Sequence, residues 1–197
     1  MKQLFLIRQL FLLWLGMTGS LAVFAQSHSL GELASLLQSP QHILMMRHAD
    51  APGYSDPAGF NLNDCSTQRN LGTVGKKQAQ EIGRWLRTDG VTASKVFSSP
   101  WCRCQETASL LNLGPVTIKQ SLGSFFENRS QRQEQTQQLE KTIQQELAKK
   151  GSAALIFVTH QVNIEAFTGE FVNSGQLVLV KVNSKGQYQS HRLIKAP

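Results

Sequence analysis

The chain has 197 residues, of which 41% are apolar and 17% are charged, and its formal charge is +7. This length suffices for one ordinary domain with a sizeable core, and with three cysteines it excludes a disulfide-dense mini-protein. The excess of basic residues indicates an acidic partner, which leaves nucleic acid, an anionic membrane surface and a phosphorylated small molecule open.

The first 25 residues have the pattern of a secretory signal peptide. Lys2 and Arg8 precede an uncharged apolar run that ends in Val23-Phe24-Ala25, and this cleavage pattern predicts a cut after Ala25. An uncleaved membrane anchor is the alternative, although the run is slightly short of the ~20 residues that a spanning helix needs. Cleavage removes 25 of 197 residues and two positive charges, which leaves 172 residues and a charge of +5. We therefore expect a periplasmic or secreted protein in which 26–197 form a single domain without a stable membrane span.

Strand and helix patterns alternate after this segment. Apolar runs predict strands at 42–46, 95–99, 116–118 and 153–158, and a terminal hairpin at 176–182 and 188–194. Helical spacing of apolar residues predicts helices over 73–87, 103–113, 131–150 and 163–167, and a long polar loop covers 49–70. This alternation predicts an α/β fold, a three-layer α/β/α sandwich with a mostly parallel central sheet.

Three cysteines lie in the predicted exported domain. Cys65 is in the polar loop, and Cys102 and Cys104 flank Arg103. An oxidising compartment allows Cys65 to pair with either of them, so that one thiol stays unpaired in a monomer. A metal site at Cys102 and Cys104 is disfavoured, because no second cluster of Cys or His lies at ligand spacing.

Arginine and histidine residues follow three of the predicted strands. Arg47 and His48 end the first, Arg103 comes shortly after the second, and His160 follows the most apolar one. Each alone has an ordinary explanation as a surface or structural residue. Because ligands bind at the carboxyl ends of strands in such sheets, we expect all of them to line one crevice. Their coincidence at one edge favours a functional site.

The chemistry of these side chains suits a phosphate group. Two guanidinium groups present planar forks that match phosphoryl oxygens, and they stay charged at all relevant pH values. A neutral imidazole beside them is a competent nucleophile toward phosphorus, since neighbouring cations keep its pKa low. A second histidine, protonated or donating, would stabilise charge on the transferring group. The sequence thus predicts phosphoryl transfer through a phosphohistidine, with no metal or other cofactor.

Four motifs resemble those of the histidine phosphatase superfamily, also called phosphoglycerate-mutase-like. Arg47-His48-Ala49 resembles the Arg-His-Gly signature, and 71–79 resembles the Leu-Thr-x-x-Gly…Gln-Ala helix start. Residues 98–108 resemble the second-arginine motif, and 158–160 resemble the second-histidine motif. The resemblance, which runs from about residue 42 to the C-terminus, implies the small branch of the family and its phosphoglycerate-mutase-like sandwich.

The resemblance also implies roles. His48 would be the phosphorylated nucleophile, and Arg47, Arg103 and His160 would complete the phosphate pocket that binds the substrate. Enzymes of this family are metal-independent phosphatases or mutases, and the export signal argues against a glycolytic mutase. We therefore expect a phosphoric monoester hydrolase of the histidine acid phosphatase type. A non-catalytic phosphate-binding or signalling module of the same fold is the alternative.

The proton donor for the leaving group is the role with no direct match. The family carries a Glu in a Leu-x-Glu context after the third strand, where this chain has Leu122-Gly123-Ser124. Glu127, three residues later, is the candidate, and Asp64 on the long loop is the runner-up. Either could equally be a solvated carboxylate. A weak general acid suffices where the leaving group is already acidic, as in an anhydride or an aryl phosphate.

The partners follow from charge and resemblance together. The export signal and the Arg-His-Ala triplet are similar to periplasmic phosphatases that act on phosphorylated heptose of the lipopolysaccharide core. We expect a phosphorylated small molecule or phosphosugar, associated with the cell envelope, as substrate. Nucleic acid is not expected, because no recognisable module or basic stripe with interleaved aromatics is present. The oligomeric state is left open by the sequence.

Overall fold

The computed structural model describes residues 31–196, which form one six-stranded sheet with helices packed on both faces. The predicted signal peptide lies outside these residues. The helices are α1 (Glu32–Gln38), α2 (Thr73–Thr88), α3 (Cys102–Leu111), α4 (Arg132–Leu147) and α5 (Gln161–Thr168). The strands are β1 (His42–Arg47), β2 (Ser94–Ser98), β3 (Val116–Ile118), β4 (Ala154–Thr159), β5 (Leu177–Val182) and β6 (Tyr188–Ile194). Short 3₁₀ turns lie at Cys65–Thr67, Gln120–Leu122 and Arg129–Gln131.

The sheet has the strand order β3-β2-β4-β1-β5-β6. Its first four strands are parallel, and β5 and β6 form an antiparallel hairpin at the edge. All six residues of β4 are buried, as the apolar run of this segment predicts for a central strand that is covered on both faces. The predicted mostly parallel α/β sandwich is confirmed.

Two cores sandwich the sheet. Side chains alternate along each strand, so that Leu44 and Met46 of β1 pack with α1, α2 and α3, whereas Ile43 and Met45 pack with α4 and α5. Each of these four side chains is fully buried, and burial of one such side chain stabilises the fold by roughly 1.5–3 kcal/mol. None of the described helices is long and apolar enough to cross a membrane.

Helix α1 was not expected from the sequence pattern. It has seven residues, and the carboxylate of Asp89 caps its N-terminus by accepting from the backbone N–H of Gly31 at 3.2 Å and of Ala34 at 3.1 Å. The cap comes from a residue that follows α2, so local sequence does not reveal it. Helix α5 begins at Gln161, two residues earlier than expected, directly after His160.

Three neighbouring strands end at one edge of the sheet. His48, Ser99 and His160 follow β1, β2 and β4, the adjacent strands at the centre. The backbone N–H of His48 donates to Thr159 O at 2.9 Å, and that of Ser99 donates to Val158 O at 3.0 Å, so the ladder continues beyond the strand ends. This edge is therefore a rigid platform for the polar residues that follow it.

Candidate functional site

A cleft of about 570 Å³ opens at this edge of the sheet, a volume typical of small-molecule sites. Its lining contains all the residues that the sequence nominated as first choices: Arg47, His48, Arg103, Glu127 and His160. Arg69 from the long loop joins them. We refer to Arg47, His48, Arg69, Arg103 and His160 as the phosphate end of the cleft.

His48 is oriented to use one particular nitrogen. Its side chain is buried, and Nδ1 lies 2.8 Å from the carbonyl oxygen of Ala49. Because a carbonyl oxygen only accepts, we assign the proton to Nδ1, which leaves the lone pair on Nε2. The pKa of His48 is lowered to about 3, mainly by burial; the hydrogen bond to Ala49 opposes this shift, and the charges of Arg103, Arg47 and Arg69 add to it. The ring is therefore neutral and nucleophilic at neutral pH, and burial, rather than the predicted cations, is the larger cause.

Hydrogen bonds hold the backbone on both sides of His48. Thr107 Oγ1 accepts from the Ala49 N–H at 3.0 Å and donates to Arg103 O at 2.7 Å, which ties the nucleophile to the second arginine. Gln78 accepts from the Asp50 N–H and donates to Ser174 O, both at 3.0 Å. These contacts explain why Gln and Thr stand in the two helix motifs.

Gly75 explains another position of the first helix motif. A Cβ placed on Gly75 would lie 1.9 Å from Asp50 O, so only glycine allows α2 to approach the chain that follows His48. The distance is less than any real Cβ contact, and a side chain here would force the two segments apart. The motif residue therefore fixes the nucleophile by permitting close packing.

Arg103 is held in place by a carboxylate. Its Nη1 donates to Asp56 Oδ1 at 2.8 Å and Oδ2 at 3.1 Å, and both side chains are almost completely buried. Asp56 also accepts from Trp101 Nε1 at 3.1 Å and from the Arg69 N–H at 2.9 Å. Asp56 thus occupies one end of the guanidinium and leaves the other edge for a ligand, a positioning role that the sequence did not reveal.

Arg69 is a third arginine that sequence reasoning missed. Its side chain lines the cleft and donates to the carbonyl oxygens of Ala51 and Gly53. Burial and the charge of Arg103 lower the pKa of both Arg47 and Arg69, which shows that the three cations repel one another. A bound anion would relieve this repulsion.

The three arginines retain unpaired donors. Nε of Arg47, Arg69 and Arg103 is buried in each case without a hydrogen-bond partner among residues 31–196. The N-termini of α3 and α5 reach the same cleft through Arg103 and Gln161, and helix N-termini favour anions. This combination is suited to an oxyanion such as phosphate.

His160 is the second histidine of the phosphate end. Its ring centroid lies 5.5 Å from that of His48, and Nε2 is 2.8 Å from Ser99 Oγ and 3.5 Å from Cys104 Sγ. Burial lowers the pKa of His160 well below 6.5, with Arg103 as the next cause. The neutral form of His160 is therefore favoured. A protonated His160, one of the two states predicted from the sequence, does not fit this environment, whereas a neutral, donating ring does.

The structure separates the two proton-donor candidates. Glu127 lines the cleft, where Ser55 Oγ donates to its Oε1 at 2.5 Å. Asp64 does not line it. Its carboxylate accepts from the N–H and the hydroxyl of Ser66, and these hydrogen bonds lower the pKa of Asp64. Asp64 therefore stabilises a turn, and of the two only Glu127 is placed to meet a substrate.

The cysteine pairing is resolved. Cys65 and Cys102 form a disulfide across 37 residues of sequence, and Cys104 is a buried free thiol. The bond joins the long loop that carries Asp56 and Arg69 to the first residue of α3, next to Arg103. No three His, Cys, Asp or Glu side chains in the described part of the chain are grouped to hold a metal ion.

Comparison with known proteins finds a matching family model and similar solved structures. A family model described as the histidine phosphatase superfamily, branch 1, matches residues 43–134, which contain the first two strand-end motifs. The match covers 92 of the 197 residues, so over this part of its sequence the chain is similar to the histidine phosphatase superfamily. This similarity supports a phosphatase activity. No curated protein sequence gives a significant match.

Solved structures share the histidine phosphatase fold at low sequence identity. The protein histidine phosphatase SixA, complexed with tungstate, is 17% identical with a TM-score of 0.52, covering 78% of this chain and 94% of its own. The alpha-ribazole phosphatase from Shigella flexneri is 19% identical with a TM-score of 0.52, covering 79% and 95%. A mycobacterial glucosyl-3-phosphoglycerate phosphatase is 12% identical with a TM-score of 0.55, covering 78% and 96%. At these identities the likeness shows the fold alone.

Proposed function

We propose that the chain is an exported, metal-independent phosphatase that hydrolyses a phosphomonoester through a phosphohistidine at His48. The observation that carries the proposal is the state of His48, a buried neutral imidazole whose Nδ1 proton is held by Ala49 O. Its free Nε2 belongs to the same cleft as three arginines with unpaired donors. A nucleophile and an anion site in one cleft are the two parts that phosphoryl transfer needs.

The reaction has two steps. In the first, Nε2 of His48 attacks phosphorus, the bond from phosphorus to the leaving oxygen breaks, and that oxygen takes a proton from Glu127. In the second, water gives a proton back to the Glu127 carboxylate and attacks the phosphohistidine, the nitrogen to phosphorus bond breaks, and inorganic phosphate leaves. Arg47, Arg69 and Arg103 neutralise the phosphoryl oxygens throughout, and the neutral His160 supplies a further hydrogen-bonding nitrogen.

The substrate proposed from sequence is a phosphorylated small molecule or phosphosugar. The related structures are named for different phosphorylated compounds, so they do not select one. The disulfide between Cys65 and Cys102 supports export, since such bonds persist in oxidising compartments. The predicted signal peptide and the periplasmic or secreted location remain part of this proposal, as does the association with the envelope.

Hydrolysis of acetyl phosphate tests the phosphoryl transfer to water, because this acyl phosphate has a small and acidic leaving group, and phenyl phosphate tests the same chemistry on a phosphomonoester. The wild type should release phosphate between pH 4 and 8, and His48→Ala should release it no faster than buffer. His191→Gln is the matched control, because His191 lies on β6 and bonds to Tyr188 and Glu170 outside the cleft. Equal rates for the wild type and His48→Ala would favour the alternative, a non-catalytic phosphate-binding or signalling module.

A further inference from the structure

Aromatic side chains are concentrated where the cleft opens to solvent. Five of its lining residues are aromatic: Tyr54, Phe60, Trp101, Phe126 and Phe171. Trp101 and Phe60 pack on each other, and Trp101 also packs on His160, so these two rings form the wall beside the phosphate end. We call the other three, Tyr54, Phe126 and Phe171, the aromatic rim.

The aromatic rim exposes apolar surface that the fold does not use. Tyr54 is 81% exposed and Phe171 is 63% exposed, and both are among the few large hydrophobic residues exposed within residues 31–196. They come from separate segments, the long loop after β1 and the stretch after α5, yet they line one cleft. Exposed apolar surface gathered at a cleft indicates a ligand that covers it.

Part of the rim is already ordered. The rings of Tyr54 and Phe126 meet edge to face with centroids 5.2 Å apart, and the guanidinium of Arg129 lies 4.9 Å from the centre of the Phe126 ring. Phe126 is therefore held by two neighbours before any ligand arrives. Such preorganisation reduces the entropy that is lost when a ring packs against it.

Several polar side chains that line the cleft are already hydrogen-bonded within the protein. Ser55 donates to Glu127, Gln161 donates to Glu165, and Ser124 Oγ accepts from the backbone N–H of Phe126. A polyhydroxylated leaving group would have to break these hydrogen bonds to make its own, whereas an aromatic ring would leave them intact. The mouth is therefore better suited to a flat apolar group than to a sugar.

The acidic residues of the cleft also favour an aromatic leaving group. Asp56 is ion-paired with Arg103, Glu165 accepts from Gln161, and Glu127 is exposed. Protonation of the leaving oxygen therefore depends on one carboxylate, Glu127, which is exposed to solvent. A phenolic oxygen leaves more readily without a proton than an alcohol oxygen does, because its charge is delocalised into the ring.

We propose that the leaving group of the substrate is an aromatic ring, so that this phosphatase acts on aryl phosphomonoesters in which the aromatic rim packs against the ring. This proposal rests on the proposed function and specifies its substrate class. The phosphoryl group would lie among the three arginines, and the ring would lie against Tyr54 and Phe171. The expectation of a phosphosugar is the competing outcome.

Binding of two phosphonates separates the rim from the chemistry, since neither is hydrolysed. Titration calorimetry should show that benzylphosphonate binds the wild type at least about tenfold more tightly than methylphosphonate, the effect of one or two aromatic contacts. The double variant Tyr54→Ala/Phe171→Ala should lose this ratio, Tyr54→Phe should keep it, and Val74→Ala, another exposed apolar residue outside the cleft, should not change it. Circular dichroism establishes that the double variant is folded.

Equal binding of the two phosphonates would overturn the proposal, as would tighter binding of a sugar phosphonate than of benzylphosphonate. A ratio that survives in the double variant would also overturn it. Failure to hydrolyse acetyl phosphate would instead overturn the proposed function. The ratio of the two phosphonate affinities would still test the aromatic rim, because it does not depend on hydrolysis. In the kinetic counterpart, the double variant should lose kcat/KM for phenyl phosphate about tenfold more than for acetyl phosphate.

Discussion

The phosphate end and the aromatic rim lie in the same cleft but are built in opposite ways. His48, Arg103 and His160 are almost completely buried, and all follow directly from the central strands or open the helices after them. Tyr54 and Phe171 are largely exposed and lie on connecting segments. The difference indicates that the chemistry is fixed by the sheet, whereas the choice of substrate is left to loops that can vary without disturbing it.

Among these variants, loss of Arg103 should reduce the activity of the phosphate end most. Arg103→Ala removes a charged contact to the transferring group and should lower kcat/KM by about 10²–10³-fold. Arg103→Lys should recover only part of the rate, because an ammonium lacks the planar fork. Arg84→Ala is the matched control, since Arg84 is exposed on α2, and acetyl phosphate kinetics provide the measurement. A rate within threefold of wild type would remove Arg103 from the site.

The disulfide tests how firmly the long loop is tied to the phosphate end. Cys65→Ser/Cys102→Ser should lower the free energy of unfolding by about 3–4 kcal/mol, as expected for a closed loop of this length. Urea denaturation measures this change, and kcat/KM should fall with it because Asp56 and Arg69 lie on the released loop. Cys104→Ala keeps the disulfide and should preserve most of the stability. A double variant as stable as the wild type would contradict the anchoring role.

The effect of Glu127 should depend on how much the leaving group of the substrate needs a proton. Glu127→Gln should lower kcat for an alkyl phosphate by about 10²-fold, the usual contribution of a general acid, and should change acetyl phosphate hydrolysis far less. Asp64→Asn should affect neither substrate, because Asp64 only stabilises a turn. Paired kcat measurements on the two substrates test this. An equal loss on both would mean that Glu127 does not protonate the leaving group.

The buried histidines should make the free energy of unfolding depend on pH. The pKa of His48 is about 3 in the folded protein and near 6.5 when unfolded, so the unfolded chain binds the extra proton. Stability is therefore complete above pH 6.5 and is lost as the pH falls toward 3, by at most about 1.4 kcal/mol per pH unit for each such group. Urea denaturation between pH 7 and 4 should show His48→Asn with a shallower decline. An unchanged slope would contradict the assignment of a buried neutral His48.

The same comparison explains what the sequence could predict. His48 and His160 could be placed because apolar runs mark the buried strands and the residues after them meet at one edge. Asp56 and Arg69 could not, since they lie in a polar loop without periodicity and reach the site only through its folding. The partner of Cys65 stayed ambiguous because Cys102 and Cys104 are two residues apart, and α1 was missed because its cap comes from Asp89.

Direct capture of the intermediate tests the central claim. The protein should be mixed with radiolabelled acetyl phosphate, quenched within the turnover time at alkaline pH, where phosphohistidine survives, and digested for peptide mapping. We predict label that is stable to alkali and labile to acid, located on His48 and absent from His48→Ala. Label on another residue, or turnover of the substrate without any label on His48, would contradict the mechanism.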